Sequence, residues 1–388
     1  MKNLGICVFN SGWVSECFGQ AALDAIRHLP VLCSGSTLGS YPAIRKYLTT
    51  MLTSMDEVKC WARKRIESDQ GYQNYLYYNG HFNTPEGNAT VNPQGVGVVN
   101  TIGALNGYRV PKELKGPLDT HWKIRDKQGY ILNNDGTRSA CIHQWDRWES
   151  DLIGFVDSGV LYDKQLGVHV KTPRLSKRVA VATLKSNLPA VTVGKSKHQG
   201  TSPFSAYASV PIVPVLGAYP TNGIQPLYGK KHQGGDAVFA LACKYPKYNF
   251  QRFVGSLRKF NYDGDIVLAV SPPNEMRPGV NAYLEKMNVL AYPFGVVCDG
   301  KDNCRLKDEF LGYPDPRPYR SFANIRYALY EYWMRHYSDQ SYILILDFRD
   351  TFFQANPFAG FGYPISSRVP KYDLQVYAEN YKVSNTAY

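Results

Sequence analysis

The chain has 388 residues, 44% of them hydrophobic, which is enough to bury one large or two modest cores and excludes an intrinsically disordered protein. Its net charge of +12 raises nucleic acid as a partner, yet Asp151 to Gly234 alone holds ten Lys/Arg against three Asp, and no recognition motif for DNA or RNA accompanies them. No specific nucleic-acid partner is expected, nor a membrane-spanning segment: the best apolar run, Val210 to Pro220, is short and broken by three prolines.

Met1 to Phe9 is too short an apolar stretch for a secretory signal. Eight cysteines form no C-x-x-C pair, so a zinc ribbon is not expected. Cys298 and Cys304 flank a polar loop and can pair in an oxidising compartment, while the other cysteines read as buried thiols.

Taken in order, Leu4 to Phe9 reads as a strand running into Asn10-Ser11-Gly12, followed by a helix over Glu16 to Leu29 and a short strand from Pro30 to Cys33. Ser34 to Thr37 has the composition of a turn. Ile44, Leu48, Met51, Leu52 and Met55 have the spacing of an amphipathic helix within Tyr41 to Met55. A further helix opens at Glu67-Ser68-Asp69-Gln70 and runs through Tyr78; Asp69 in its first turn either complements the helix dipole or contacts a substrate. After a loop-rich part, Asn133 to Gly136 is a hairpin turn leading to a strand, Ser139 to Ile142, that delivers His143-Gln144-Trp145-Asp146-Arg147. His143 is either hydrogen-bonded structure or polar chemistry at a sheet edge. From Phe155 to Gly234 periodicity fails, and the Lys, Ser, Gly and Pro content predicts a basic, mostly disordered linker.

Beyond it the pattern becomes a regular α/β alternation. Strands are predicted at Ala237 to Cys243, Asp265 to Val270, Asn288 to Tyr292 and Leu374 to Glu379, with helices at Phe250 to Phe260, Val280 to Met287 and from Ser321 through Trp333. Tyr342 to Leu346 reads as a strand buried on both faces, ending at Asp347 and, three residues on, Asp350. Ligands bind at that edge of open α/β sheets, and two carboxylates there suit a divalent cation carrying phosphate oxygens. Neither a dinucleotide fingerprint nor a P-loop is present.

Together Phe9-Asn10-Ser11-Gly12, Asp69-Gln70, the late His143 and the Asp347-Phe348-Arg349-Asp350 stretch resemble the GT-A class of nucleotide-diphospho-sugar glycosyltransferases, glycogenin-like enzymes among them. The resemblance implies a Rossmann-like α/β fold with a central, mostly parallel sheet flanked by helices. Two departures from the pattern stand out: the acidic motif is not D-x-D, and the halves are in reversed order. Residues 1–154 correspond to the C-terminal half of such a domain, 155–234 to the linker, and 235–388 to the nucleotide-binding half. Such an order fits a circular permutant or a piece of a tandem array. The apolar sheet edge that each half would expose alone favours assembly into one domain.

By this resemblance the chain transfers a sugar from a UDP-sugar to a glycan, protein or small-molecule acceptor. Asp347, Asp350 and His143 would hold Mn2+ or Mg2+, and Ala242, Cys243 and Arg326 would line the nucleotide side, Arg326 being alternatively a surface ion pair. Asn10, Ser11 and Gly12 would contact the donor sugar, and Asp69 and Gln70 would bind its hydroxyls or serve catalysis. The resemblance suggests the secretory pathway or Golgi lumen, with which the sequon Asn88-Ala89-Thr90 is compatible. The competing expectation is an inactive fragment, or a carbohydrate-binding or scaffold protein on a transferase-derived fold.

Overall fold

In the computed structural model the first half of the chain supplies β1 (Leu32–Ser40), β2 (Ala89–Asn92), β3 (Val99–Thr101) and β4 (Cys141–His143). The second half supplies β5 (Ala237–Ala242), β6 (Asp265–Val270), β7 (Leu290–Pro293), β8 (Val296–Cys298), β9 (Asn303–Leu306), β10 (Arg320–Ser321), β11 (Tyr342–Leu346), β12 (Thr351–Phe353) and β13 (Leu374–Ala378). Residues 3–58, 60, 69–85, 87–103, 125–157, 226–229, 232–299, 303–307, 319–358 and 373–379 are described. All of them belong to one compact unit, Met1–Lys171 with Ile224–Tyr388; a second unit, Thr172–Gly223, lies outside them.

The main sheet has seven strands in the order β2-β13-β1-β11-β5-β6-β7. Four of its pairings are parallel (β2 with β13, β11 with β5, β5 with β6, β6 with β7), and β1 runs antiparallel to both neighbours. The mostly parallel α/β sheet expected from the strand–helix alternation is therefore present. Side chains alternate between two apolar layers, as the two-residue strand period requires. Phe239, Val267, Ile343 and Ile345 enter one layer with the helices Tyr41–Val58 and Phe322–Trp333. Val238, Ile266, Leu268, Leu344 and Leu346 enter the other with Phe253, Leu257, Val280 and Leu284.

The halves interleave. Strand β1 of the first half lies between β11 and β13 of the second, with Ser36 opposite Leu346 and Leu38 opposite both Leu344 and Gln375. A second sheet, β12-β4-β3, also mixes them, with His143 of β4 opposite Thr351 of β12. The third sheet, β10-β9-β8, carries the expected Cys298–Cys304 disulfide.

Several local expectations are corrected. Leu4 to Phe9 is not a strand: helix Val8–Phe18 begins within it, and Asn10-Ser11-Gly12 lie in that helix instead of at a sheet edge. A short apolar run does not distinguish the two states, and here Leu4, Cys7 and Val14 join Leu23, Ile26 and Val31 in a small separate cluster. Gly19, with φ at 91°, ends that helix, so the single helix expected from Glu16 to Leu29 is two, the second being Gln20–Ile26. Ser34 to Thr37 is not a turn but the centre of β1, all nine of whose residues are buried. Its small side chains allow a bulge between Cys33 and Thr37 and close packing against neighbouring strands. Cys17 is not a free thiol but is bonded to Cys60.

Most of the expected linker, residues 158–225 with 230 and 231, lies outside the described residues, as do Glu67 and Ser68. The ends of that stretch are ordered against the domain. Helix Glu149–Val156 occupies one, and at the other Leu227 and Tyr228 bond the backbone of Ala291 while His232 contacts the hydroxyls of Tyr292 and Tyr337 at 2.6 and 2.9 Å. Among the described residues no helix is long and apolar enough to cross a membrane.

A central strand contributed by the opposite half makes neither half self-sufficient. Expressed alone, residues 1–157 and 226–388 should each lack a cooperative thermal transition; co-expressed, they should co-purify and melt together. Independent cooperative melting of both pieces would contradict the interleaved sheet.

Candidate functional site

Strands β5, β6 and β7 step outward in one direction, whereas β11 pairs on the opposite side of β5. The connection order therefore reverses between β5 and β11, and the crevice beyond their carboxyl ends is where open α/β sheets take ligands. Asp347 follows β11 at this point, and its N–H donates to Gly35 O at 2.8 Å, tying it to β1. The chain turns, presents Asp350, and enters β12, whose first residue pairs with His143. That register brings a histidine from the first half against two carboxylates from the second.

His143 Nε2 lies 3.7 Å from Asp347 Oδ2 and 3.6 Å from Asp350 Oδ1. The imidazole is fully buried, and among the described residues Nε2 has no hydrogen-bond partner at normal distance. Its other nitrogen, Nδ1, contacts Cys33 Sγ at 3.6 Å. A ligand atom from each of the three residues falls within 4.8 Å of the others. Ligands about 2.1 Å from an octahedral cation sit about 3.0 Å apart when adjacent and 4.2 Å when opposite, so small rotations would close this set on a metal. A mixed imidazole and carboxylate set suits Mn2+ better than Mg2+.

The charges are mutually adjusted. Burial would raise the Asp347 carboxyl, but Arg326 and His143 hold it well below the usual carboxylate range. Burial, helped by Asp347 and opposed by His143, pushes Asp350 up to about 6. Burial disfavours the His143 imidazolium, yet Cys33, Asp350 and Asp347 outweigh it and raise its pKa well above the ordinary value.

Arg326, on helix Phe322–Trp333, is 13% exposed and paired at both ends, one amine on Asp347 Oδ1 and the other on Asp69 Oδ2. A surface ion pair is thereby excluded. Asp69 is engaged on both oxygens: Tyr327 donates to Oδ2 at 3.0 Å and Ser34 to Oδ1 at 3.1 Å. This saturation fits a carboxylate that positions Arg326 and leaves no idle oxygen for proton abstraction. Behind Asp69 on the same helix, Gln73 donates to Cys33 O at 2.9 Å, while Asn74 both accepts from and donates to the Leu32 backbone. These bonds satisfy β1 where its ladder is interrupted.

The other sequence-predicted residues disperse. Asn10 donates to Cys7 Sγ at 3.3 Å and Ser11 to Val8 O at 3.2 Å, both local to their helix, and a Cβ on Gly12 would meet nothing within 4 Å. Gln70 accepts through its carbonyl from Asn74 at 2.7 Å. Ala242 and Cys243 stand at the carboxyl end of β5, on the crevice edge. Sequence reasoning missed Cys33, Ser34, Gly35 and Glu379. At Gly35 a Cβ would lie 2.3 Å from Asp347 Oδ2 and 2.8 Å from the His143 ring, so only glycine leaves room for both. The available signal was slight: Thr37 and Leu38 within a stretch of otherwise very small residues, Ser34 to Ser40, whose composition also suits a turn.

A scan against protein-family models and searches of curated proteins and of solved structures find no match for this chain.

Replacing Arg326 by Met would leave two carboxylates without their cation, one of them buried; it should destabilise the fold by about 3–5 kcal/mol, read by chemical denaturation. For the triad, protons compete with any cation. Calorimetric Mn2+ affinity should therefore rise between pH 5 and pH 7.5, as Asp350 loses its proton near 6 and His143 begins to lose its own, and His143→Ala should abolish it.

Proposed function

We propose that the chain is a metal-dependent glycosyltransferase that moves a sugar from a nucleoside diphosphate sugar, a UDP-sugar, to a hydroxyl-bearing acceptor on a glycan, a protein or a small molecule. One observation carries the reading: the buried, unpartnered His143 Nε2 facing Asp347 and Asp350 at the reversal point of a mostly parallel sheet. The interleaved halves support a GT-A-type domain in permuted order, since β1 of the first half sits between β11 and β13 of the second.

In this reading Asp347, Asp350 and His143 would hold Mn2+ or Mg2+. The bound cation would neutralise the diphosphate and stabilise the charge growing on the departing nucleotide. Arg326 keeps Asp347 ionised and turns its second oxygen toward His143, and Asp69 fixes Arg326 in that pose. Gly35 keeps the space between carboxylate and imidazole open. Ala242 and Cys243, one strand over, border the nucleoside side. The two disulfides favour an oxidising compartment such as the Golgi lumen.

The test is thermal unfolding of the full chain with UDP and Mn2+, compared with UDP plus chelator and with Asp347→Asn. At a hundredfold excess over Kd, binding should stabilise by about 2.7 kcal/mol, a rise in Tm of a few degrees that the chelator and the variant both remove. A cooperative melt that ignores UDP and Mn2+ would reject the donor site and favour a scaffold on a transferase-derived fold.

A further inference from the structure

Glu379 directly follows β13 and is 7% exposed. Its Oε1 accepts from Gln144 Nε2 at 2.9 Å, and among the described residues no cationic side chain pairs with it. A carboxylate buried against a neutral amide is poorly compensated for the water it has lost. Gln144 is itself held under constraint. Its φ is 59°, in the left-handed region that non-glycine residues avoid, and a Cβ on Gly103 would come within 2.4 Å of its Oε1. Gln144 is 5% exposed, and among the described residues this Oε1 has no hydrogen-bond partner. Glu379 thus has one neutral donor, the Gln144 amide, where a buried carboxylate can accept several. A ligand group rich in hydroxyl donors would complete the set.

The place of the pair along the sheet says which part of a ligand it meets. Cys33 Sγ lies 3.7 Å from Gln144 Nε2 and 3.6 Å from His143 Nδ1, so the pair adjoins the proposed metal site on the side away from β5. Across the carboxyl edge the order is β5, β11, β1, β13. Three strand spacings, about 14 Å, separate the first from the last. On the transferase reading, with the nucleoside by β5 and the diphosphate by Asp347, an extended nucleoside diphosphate sugar along this edge would direct its sugar toward β13.

Resting on the transferase reading above, we infer that Glu379, aimed by Gln144, is the carboxylate that accepts the hydroxyls of the donor's sugar and so helps to select which sugar is bound. The experiment is titration calorimetry of the full chain in Mn2+ with UDP, UDP-glucose, UDP-galactose and UDP-N-acetylglucosamine, for the wild type, Glu379→Gln and Glu379→Asp. In both variants the Kd for UDP should stay within about twofold while that for the preferred UDP-sugar weakens about tenfold or more, the loss expected for hydrogen bonds to a charged acceptor. Retained UDP binding reports that each variant is folded. Glu379→Asp retracts the carboxylate by one methylene and keeps its charge, so it separates reach from charge. Equal weakening for UDP and UDP-sugar, or none for either, overturns the inference and leaves the transferase reading standing. A wild type that binds neither UDP nor any of the three UDP-sugars overturns both.

Discussion

A largely buried guanidinium shared by two carboxylates organises this molecule. Arg326 reaches Asp347 at the end of β11 and Asp69 at the start of helix Asp69–Tyr78, groups that lie far apart in the sequence. Taking Asp69 and most of Arg326 out of water is costly, and an apolar substitute of equal volume would stabilise a simple core as well or better. What the triplet adds is direction. It fixes which oxygen of Asp347 faces His143, and it anchors to the sheet the helix whose Gln73 and Asn74 complete the backbone bonding of β1.

The sequence made the second half of the sheet readable because its strands are buried on both faces and are continuous apolar runs. Ala237 to Cys243, Asp265 to Val270, Tyr342 to Leu346 and Leu374 to Glu379 all match within a residue at either end. The convergence of His143 with Asp347 and Asp350 could also be anticipated, since each ends or closely follows a strand. The first half resisted reading for a different reason. Ser34 to Ser40 offers no bulk or β-branched signal beyond Thr37 and Leu38, because bulk is what this strand must avoid where Asp347 and His143 press on Gly35. The helical fate of Val8 and Phe9 depends on a small cluster closed by Leu23, Ile26 and Val31, residues whose proximity no local pattern encodes. The pairing of Glu379 with Gln144 was not readable, because a lone carboxylate after a strand is unremarkable until the neutral amide facing it can be seen.

The ordered ends of the intervening stretch refine the picture of two halves joined by a basic tether. His232 sits between two tyrosine hydroxyls, Gln233 N donates to Asp265 Oδ2, and Ser341 Oγ donates to Gly234 O. These contacts set the entry to β5 before the strand begins. Residues 232–234 are thereby held in place against Asp265, Tyr292, Tyr337 and Ser341 ahead of the strand.

The position of β1 between β11 and β13 also imposes a timetable. Ser36 finds its partner Leu346 some three hundred residues later, which at ribosomal rates of about 5–20 residues per second is a delay of roughly 15–60 s. Throughout it a nine-residue strand, buried on completion, has emerged with neither neighbour yet synthesised. The nascent chain must keep that segment from pairing with other chains, and the central sheet closes only once β11 and β13 have been made, so this domain depends on being held open during its synthesis to a degree that a sheet built in chain order would not.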